Sequence, residues 1–185
     1  KQTGRINESL FAKHKAVELA PLDAQAHYNL STTLQELGRL EEAEASYTQA
    51  IALKPDYAEA HYNLGITLNE LGRLNEAEAS YMQAIVLKPD FAEAYSNLGN
   101  SLQELGRLGE AEASYRQAIA LKPDYVEAYS NLGNSLKELG RLGEAKASYV
   151  QAIALKPDYA EAHNNLGATL LELGKLDESE ASYTQ

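Results

Sequence analysis

Five asparagines, Asn29, Asn63, Asn97, Asn131 and Asn165, stand 34 residues apart along a chain of 185 residues. A carboxamide carries two N–H donors and an oxygen acceptor, so it can pair with both polar groups of a peptide bond. A row of them can hold an extended peptide by its main chain, whatever the side chains are. Asn is also a mediocre helix former. It costs roughly half a kcal/mol against Ala, because its side chain competes for the backbone. Yet each of the five sits inside a helical pattern, as in "AYSNLGNSL" at 94–102 and again at 128–136. Two roles would compensate for that cost: a grip on a ligand, or bridges between neighbouring helices that stabilise a stack.

Other chemistry is hard to find. Carboxylates are plentiful but recur with the same period, and a periodic carboxylate reads as a solvated face before it reads as a general acid. His27, His61 and His163 share a register with Tyr95 and Tyr129, the mark of a packing site. The chain has no Cys, so neither a disulfide framework nor a thiolate zinc site is open to it. No phosphate loop, G-x-S-x-G or H-E-x-x-H occurs. The expectation is a protein that is not an enzyme and uses no metal and no cofactor. A formal charge of -11 argues against nucleic acid, whose affinity comes from neutralised phosphates, and against an anionic membrane surface. No apolar run approaches the length of a membrane span and no leader is visible, so a cytoplasmic location is expected.

The elements that must position the amides follow from self-comparison. "LKPD" begins at Leu53, Leu87, Leu121 and Leu155, and "ELG" recurs from Glu36 to Glu172 on the same period of 34. Such a period signals a solenoid, in which each unit buries its apolar face only against its neighbours. With position 1 at Ala24, Ala58, Ala92, Val126 and Ala160, the repeats run 24–57, 58–91, 92–125 and 126–159, with a truncated fifth at 160–185. Residues 1–23 read as the lone second helix of a preceding partial repeat. Apolar stripes at positions 4, 7, 11 and 14 and at 17, 20, 24, 27 and 28 predict two helices per repeat, A and B. Gly at position 15 ends helix A, and Pro at position 32 stops helix B after a Lys that suits its negative end. Asp56/Glu59, Asp90/Glu93, Asp124/Glu127 and Asp158/Glu161 predict a capping box for the next helix A. The Arg/Lys column at position 16 predicts a solvated edge.

Small residues at positions 8, 20 and 27, Tyr at 24 and Pro at 32 closely resemble the tetratricopeptide (TPR) repeat. Position 4 departs from the pattern with His or Tyr in place of Trp, and position 11 with Leu in place of Tyr. The resemblance implies an all-α TPR α-solenoid, a right-handed superhelix of antiparallel helix pairs whose A helices line the concave side. The asparagine column at position 6 would then face inward, with positions 2, 9 and 13 on the same helix face. It is similar to the inner surface of the TPR superhelix of O-GlcNAc-transferase-type glycosyltransferases, where asparagines hold extended substrate segments.

Variation along the same wall is where selectivity would arise. Position 5 carries Tyr28 and Tyr62, position 9 carries Ile66, Asn100 and Asn134, and position 12 carries Lys137. The tyrosines make the first part of the groove more apolar, and the paired asparagines make the middle amide-rich. The Glu column at position 13 favours basic or neutral ligands. The expected function is a non-catalytic protein- or peptide-binding scaffold. The alternatives are the substrate-recruiting arm of a larger enzyme such as a glycosyltransferase, and a structural module that self-associates end to end.

Overall fold

A computed structural model describes the backbone of residues 2–174 and the side chains of 9–174. Ten α-helices lie in the described residues: α1 (Gln2–Leu19), α2 (Ala24–Glu36), α3 (Leu40–Leu53), α4 (Ala58–Glu70), α5 (Leu74–Leu87), α6 (Ala92–Glu104), α7 (Leu108–Leu121), α8 (Val126–Glu138), α9 (Leu142–Leu155) and α10 (Ala160–Glu172). The fold class is all-α and solenoidal, as the period predicts. The expected last B-type segment, with Lys175, Ser179 and Tyr183, lies outside the described residues. The chain divides into two compact units, Lys1–Pro89 with α1 to α5, and Asp90–Gln185 with α6 to α10.

Each A helix ends at a left-handed backbone position, which glycine adopts without strain. Gly38, Gly72, Gly106, Gly140 and Gly174 have φ between 69° and 74°. The turn closes as a Schellman motif: Gly38 N donates to Gln35 O at 2.8 Å and Arg39 N to Leu34 O at 2.9 Å. The same pair of bonds closes the turns at Gly72, Gly106 and Gly140. Three residues therefore suffice to reverse the chain, and helix B runs back along helix A.

The start of helix A corrects the capping-box expectation. The residue at the cap of α4, α6, α8 and α10 is Tyr57, Phe91, Tyr125 or Tyr159, and none makes a side-chain cap bond. The periodic aspartates stand one residue too early. In α2 alone the Asp itself, Asp23, occupies the cap, and Oδ1 accepts from Gln25 N at 2.9 Å. Elsewhere the cap position is given to packing: Tyr57 and Phe91 are buried. Two of the glutamates assigned to the box instead face lysines, Glu93 with Lys122 at 3.2 Å and Glu59 with Lys88 at 3.5 Å. Within each unit a lysine at the end of a B helix also sits over the aromatic at the next cap, Lys54 on Tyr57 at 4.5 Å, Lys122 on Tyr125 at 4.7 Å and Lys156 on Tyr159 at 5.5 Å.

The core is built on tyrosine against glycine. Tyr47, Tyr81, Tyr115 and Tyr149 are wholly or almost wholly buried in the B helices. Each burial is worth roughly 4 to 6 kcal/mol as an upper bound, from the area of a tyrosine. Their rings lie flush on the small residue of helix A. A Cβ built on Gly65, Gly99 or Gly133 would come within 2.5 to 2.6 Å of the facing ring. The first repeat uses Ser31, itself fully buried. Helix A and helix B are thus held closer than any larger pair of side chains allows.

The Arg column lies on a solvated edge, as its register predicts, and is paired along it. Arg39, Arg73, Arg107 and Arg141 each fork onto the glutamate three residues on, at 2.6 to 2.7 Å. Arg73 and Arg141 reach further, to Glu44 at 2.7 Å and Glu112 at 2.6 Å on the preceding B helix. The spacing hides this because the partner lies 29 residues back in the chain.

Within each unit the successive A helices approach one another directly, α2 with α4, and α8 with both α6 and α10. The successive B helices do not. The A-helix side is therefore the inner side of each unit.

Candidate functional site

In the second unit the inner side holds a polar cavity of about 520 Å³ lined by Gln103, Asn134, Lys137, Glu138, Tyr149, Glu161, Asn165 and Glu172. Three of the sequence-derived candidates, Asn134, Asn165 and Lys137, meet there. Asn165 Nδ2 donates to Asn134 Oδ1 at 3.0 Å, and Tyr149 OH donates to the same oxygen at 2.8 Å. The preceding repeat has the same arrangement. Asn131 Nδ2 donates to Asn100 Oδ1 at 2.9 Å, and Tyr115 OH donates to that oxygen at 2.8 Å. Burial pushes the Tyr115 and Tyr149 phenols well above their usual range, with the surrounding glutamates adding to it, so both remain donors. Asn97, on α6, is half-buried and not without a partner.

The amide column is thus partly used by the stack and partly open. Among the described residues, Asn131 and Asn165 each give one N–H to the neighbouring A helix, while their Oδ1 atoms accept no bond. Asn100 and Asn134 have their oxygens fully engaged and their NH₂ groups unengaged. The bridging role left open by the sequence is present in Asn131 and Asn165, and each bridging amide keeps its oxygen unengaged among the described residues.

The walls are ionic. Lys137 Nζ pairs with Glu172 at 2.9 Å, and Gln103 Nε2 donates to Glu138 at 2.9 Å. Glu161 accepts from Tyr159 OH at 3.0 Å. Three carboxylates against one ammonium leave the cavity negative. Gln103, Glu138, Tyr149, Glu161 and Glu172 were not among the sequence-derived site residues, although the Glu column that holds Glu138 and Glu172 was expected to make this wall acidic. The first two share a helix face with the amides, and that spacing was the available signal. Tyr149 lies on helix B, and nothing in the pattern shows that its hydroxyl reaches helix A.

The first unit is arranged differently. Asn63 Nδ2 donates to Tyr28 OH at 2.9 Å, and again Asn63 Oδ1 accepts no bond from the described residues. Asn29 is exposed and has its oxygen taken, by Gln25 Nε2 at 2.9 Å. Tyr28 packs on Tyr57 at 4.8 Å between centroids and edge-on to Tyr47 at 6.0 Å. Tyr62 and Ile66 are half-buried on the same helix, α4. The amides here stand among aromatic rings.

The histidines have a loop-tethering place. His27, His61 and His163 lie within 2.8 to 3.1 Å of the carbonyl of Pro21, Pro55 and Pro157. Among the described residues no group of three or more His, Cys, Asp and Glu converges as a metal set. No described helix is long and apolar enough to cross a membrane. A second, outer groove of about 460 Å³ separates α7 from α9, with Tyr129 and Leu132 among its lining residues. It gathers none of the candidate residues.

Comparison with known proteins agrees with this architecture. The sequence matches the family model described as TPR repeat at residues 32–72, 67–106, 102–140 and 133–174, and one described as Tetratricopeptide repeat at 15–45. No curated protein matches the chain. Among solved structures it is similar to MamA, at 26% identity and TM-score 0.80, over 84% of this chain and 91% of that one. It is also similar to YrrB, described as a TPR protein with an unusual peptide-binding site, at 25% identity and TM-score 0.78, over 92% of this chain and 88% of that one. PilF of Pseudomonas aeruginosa shares the fold, at 20% identity and TM-score 0.84, over 98% of this chain and 82% of that one. Repeat spacing, helix pairing, the tyrosine–glycine core and four consecutive family matches agree, and the chain belongs to the tetratricopeptide repeat family.

Proposed function

We propose that the chain is a non-catalytic protein-interaction module that takes an extended peptide on the A-helix side of its units. One observation carries this reading: in the second unit Asn131 and Asn165 each spend one N–H on the neighbouring helix and, among the described residues, keep a carbonyl oxygen open, and Asn63 in the first unit does the same. An open acceptor row suits the N–H groups of a main chain. YrrB, a similar structure, is described as having a peptide-binding site, which supports the class of ligand. The excess of carboxylate in the second unit favours basic or neutral segments over acidic ones.

The test is an anisotropy titration with labelled acetyl-(Lys-Ser)5-amide and its acidic counterpart acetyl-(Glu-Ser)5-amide. The basic peptide is expected to bind and the acidic one not. Asn131→Ala with Asn165→Ala removes two ligand bonds worth about 1 kcal/mol each, so affinity should fall at least tenfold. Retained melting temperature shows that the stack survives. Equal binding by the double variant, or no preference between the peptides, contradicts the reading.

A further inference from the structure

The two amide pairs of the second unit look alike but are not locked alike. Tyr115 OH has two acceptors, Asn100 Oδ1 at 2.8 Å and Gln103 Oε1 at 3.2 Å. If the Asn100 amide turned over, its NH₂ would donate to the hydroxyl, and the hydroxyl proton would move to Gln103. With the Asn131 amide turned as well, so that its oxygen accepts from Asn100, no bond would be lost. In the next repeat Gln103 is replaced by Lys137, which has no acceptor and is drawn off to Glu172. Tyr149 OH therefore has one acceptor among the described residues, Asn134 Oδ1. The Tyr149 residue is fully buried. Turning the Asn134 amide over would leave a buried O–H unpaired, the costly case for a hydrogen bond. Asn165 follows, because its Nδ2 must meet that same oxygen.

We infer that Tyr149 is a positioning residue that fixes the polarity of the Asn134–Asn165 pair, so that the cavity offers a carbonyl oxygen from Asn165 beside an NH₂ from Asn134. This rests on the peptide-binding reading above and deepens it. The complementary ligand group is a secondary peptide bond, N–H to Asn165 and C=O to Asn134. An N-methylated or X–Pro bond cannot satisfy Asn165. The site at Asn100 and Asn131, with Gln103 present, accepts either polarity.

The test compares acetyl-(Lys-Ser)5-amide with its analogue N-methylated at every lysine and serine backbone nitrogen, against the wild type, Tyr149→Phe and Lys137→Gln. Phe keeps the ring and removes the lock. Gln supplies the second acceptor seen beside Tyr115. The wild type should prefer the unmethylated peptide about tenfold, the scale of one unpaired acceptor. The preference should fall to about twofold in both variants, on the same scale, with melting temperature kept in Lys137→Gln. In the free protein, one Asn165 side-chain N–H should exchange slowly by NMR, and Tyr149→Phe should abolish that protection. If the wild type binds both peptides equally, or both variants keep the full preference, the polarity lock is wrong while the peptide-binding reading stands. If neither peptide binds the wild type, both fail.

Discussion

Gly99 and Tyr115 offer a test of how the stack is held together. A Cβ on Gly99 would lie 2.6 Å from Tyr115 Cε1 and 2.8 Å from Cδ1 and Cζ. Contact at that distance is short by about 0.8 Å. The ring is fully buried, so it can retreat only by pushing its own neighbours. Overpacking of this kind costs about 1 to 3 kcal/mol. Alanine for glycine inside a helix returns about 1 kcal/mol. The expected net effect of Gly99→Ala is therefore a loss of up to about 2 kcal/mol, or a few degrees in melting temperature for a chain of this size. Ser31, which already carries a Cβ at this register against a fully buried Tyr47, argues for the lower half of that range. The sharper expectation concerns sign. In a Tyr115→Leu background the obstructing ring is gone, and the same Gly99→Ala change should stabilise by about 1 kcal/mol. The four proteins form a double-mutant cycle, read by urea denaturation followed by circular dichroism, with a coupling of about 1 to 3 kcal/mol. Additivity within a few tenths would refute the interlock and leave helix propensity as the only effect.

Three other expectations follow from the same contacts. Gly106, at φ 73°, is tolerant of no L side chain at that angle, so Gly106→Ala should cost about 1 kcal/mol or more although nothing lies near its Cβ; thermal melts against Gly109→Ala, which has equal space and an ordinary φ, isolate the backbone effect. The arginine at the start of α3, α5, α7 and α9 holds the carboxyls of Glu42, Glu76, Glu110 and Glu144 below their usual range. Groups with a depressed folded pKa stabilise above the unfolded value and lose that effect as pH falls through the folded one, so stability should decline below about pH 4.5, and less steeply in Arg141→Gln. Burial raises the folded pKa of Tyr47, Tyr115 and Tyr149, so their contribution is complete below the unfolded value and is lost above about pH 10; an alkaline denaturation series should show the onset there, shifted upward in Tyr149→Phe.

The helices and their turns were legible because each signal is local and repeated. Gly38 and its equivalents need a left-handed backbone, Pro stops the B helices, and the apolar stripes keep the helical period. The small residue facing an aromatic was also legible as a pair of columns. What escaped depends on contacts between residues far apart in the chain. The aspartate column reads as a cap, but the aromatic one residue later takes the cap position to fill the core. The arginine column reads as a solvated edge, which it is, but the second carboxylate that Arg73 and Arg141 reach lies 29 residues back and leaves no mark on the local pattern. The asparagine column was visible as a column, yet only the three-dimensional pairing shows which atom of each amide the stack consumes. Asn29 breaks the pattern for the same reason: its oxygen is taken by Gln25 on its own helix.

The open amide atoms can be watched directly. Protein labelled with ¹⁵N at asparagine and titrated with acetyl-(Lys-Ser)5-amide reports each side-chain NH₂ by NMR. Saturable shifts at Asn131, Asn134 and Asn165, with Asn75 on the exposed side of α5 unmoved, are the predicted result. Shifts confined to Asn75 and other outer positions, or none at saturating peptide, would contradict a peptide held on the A-helix side.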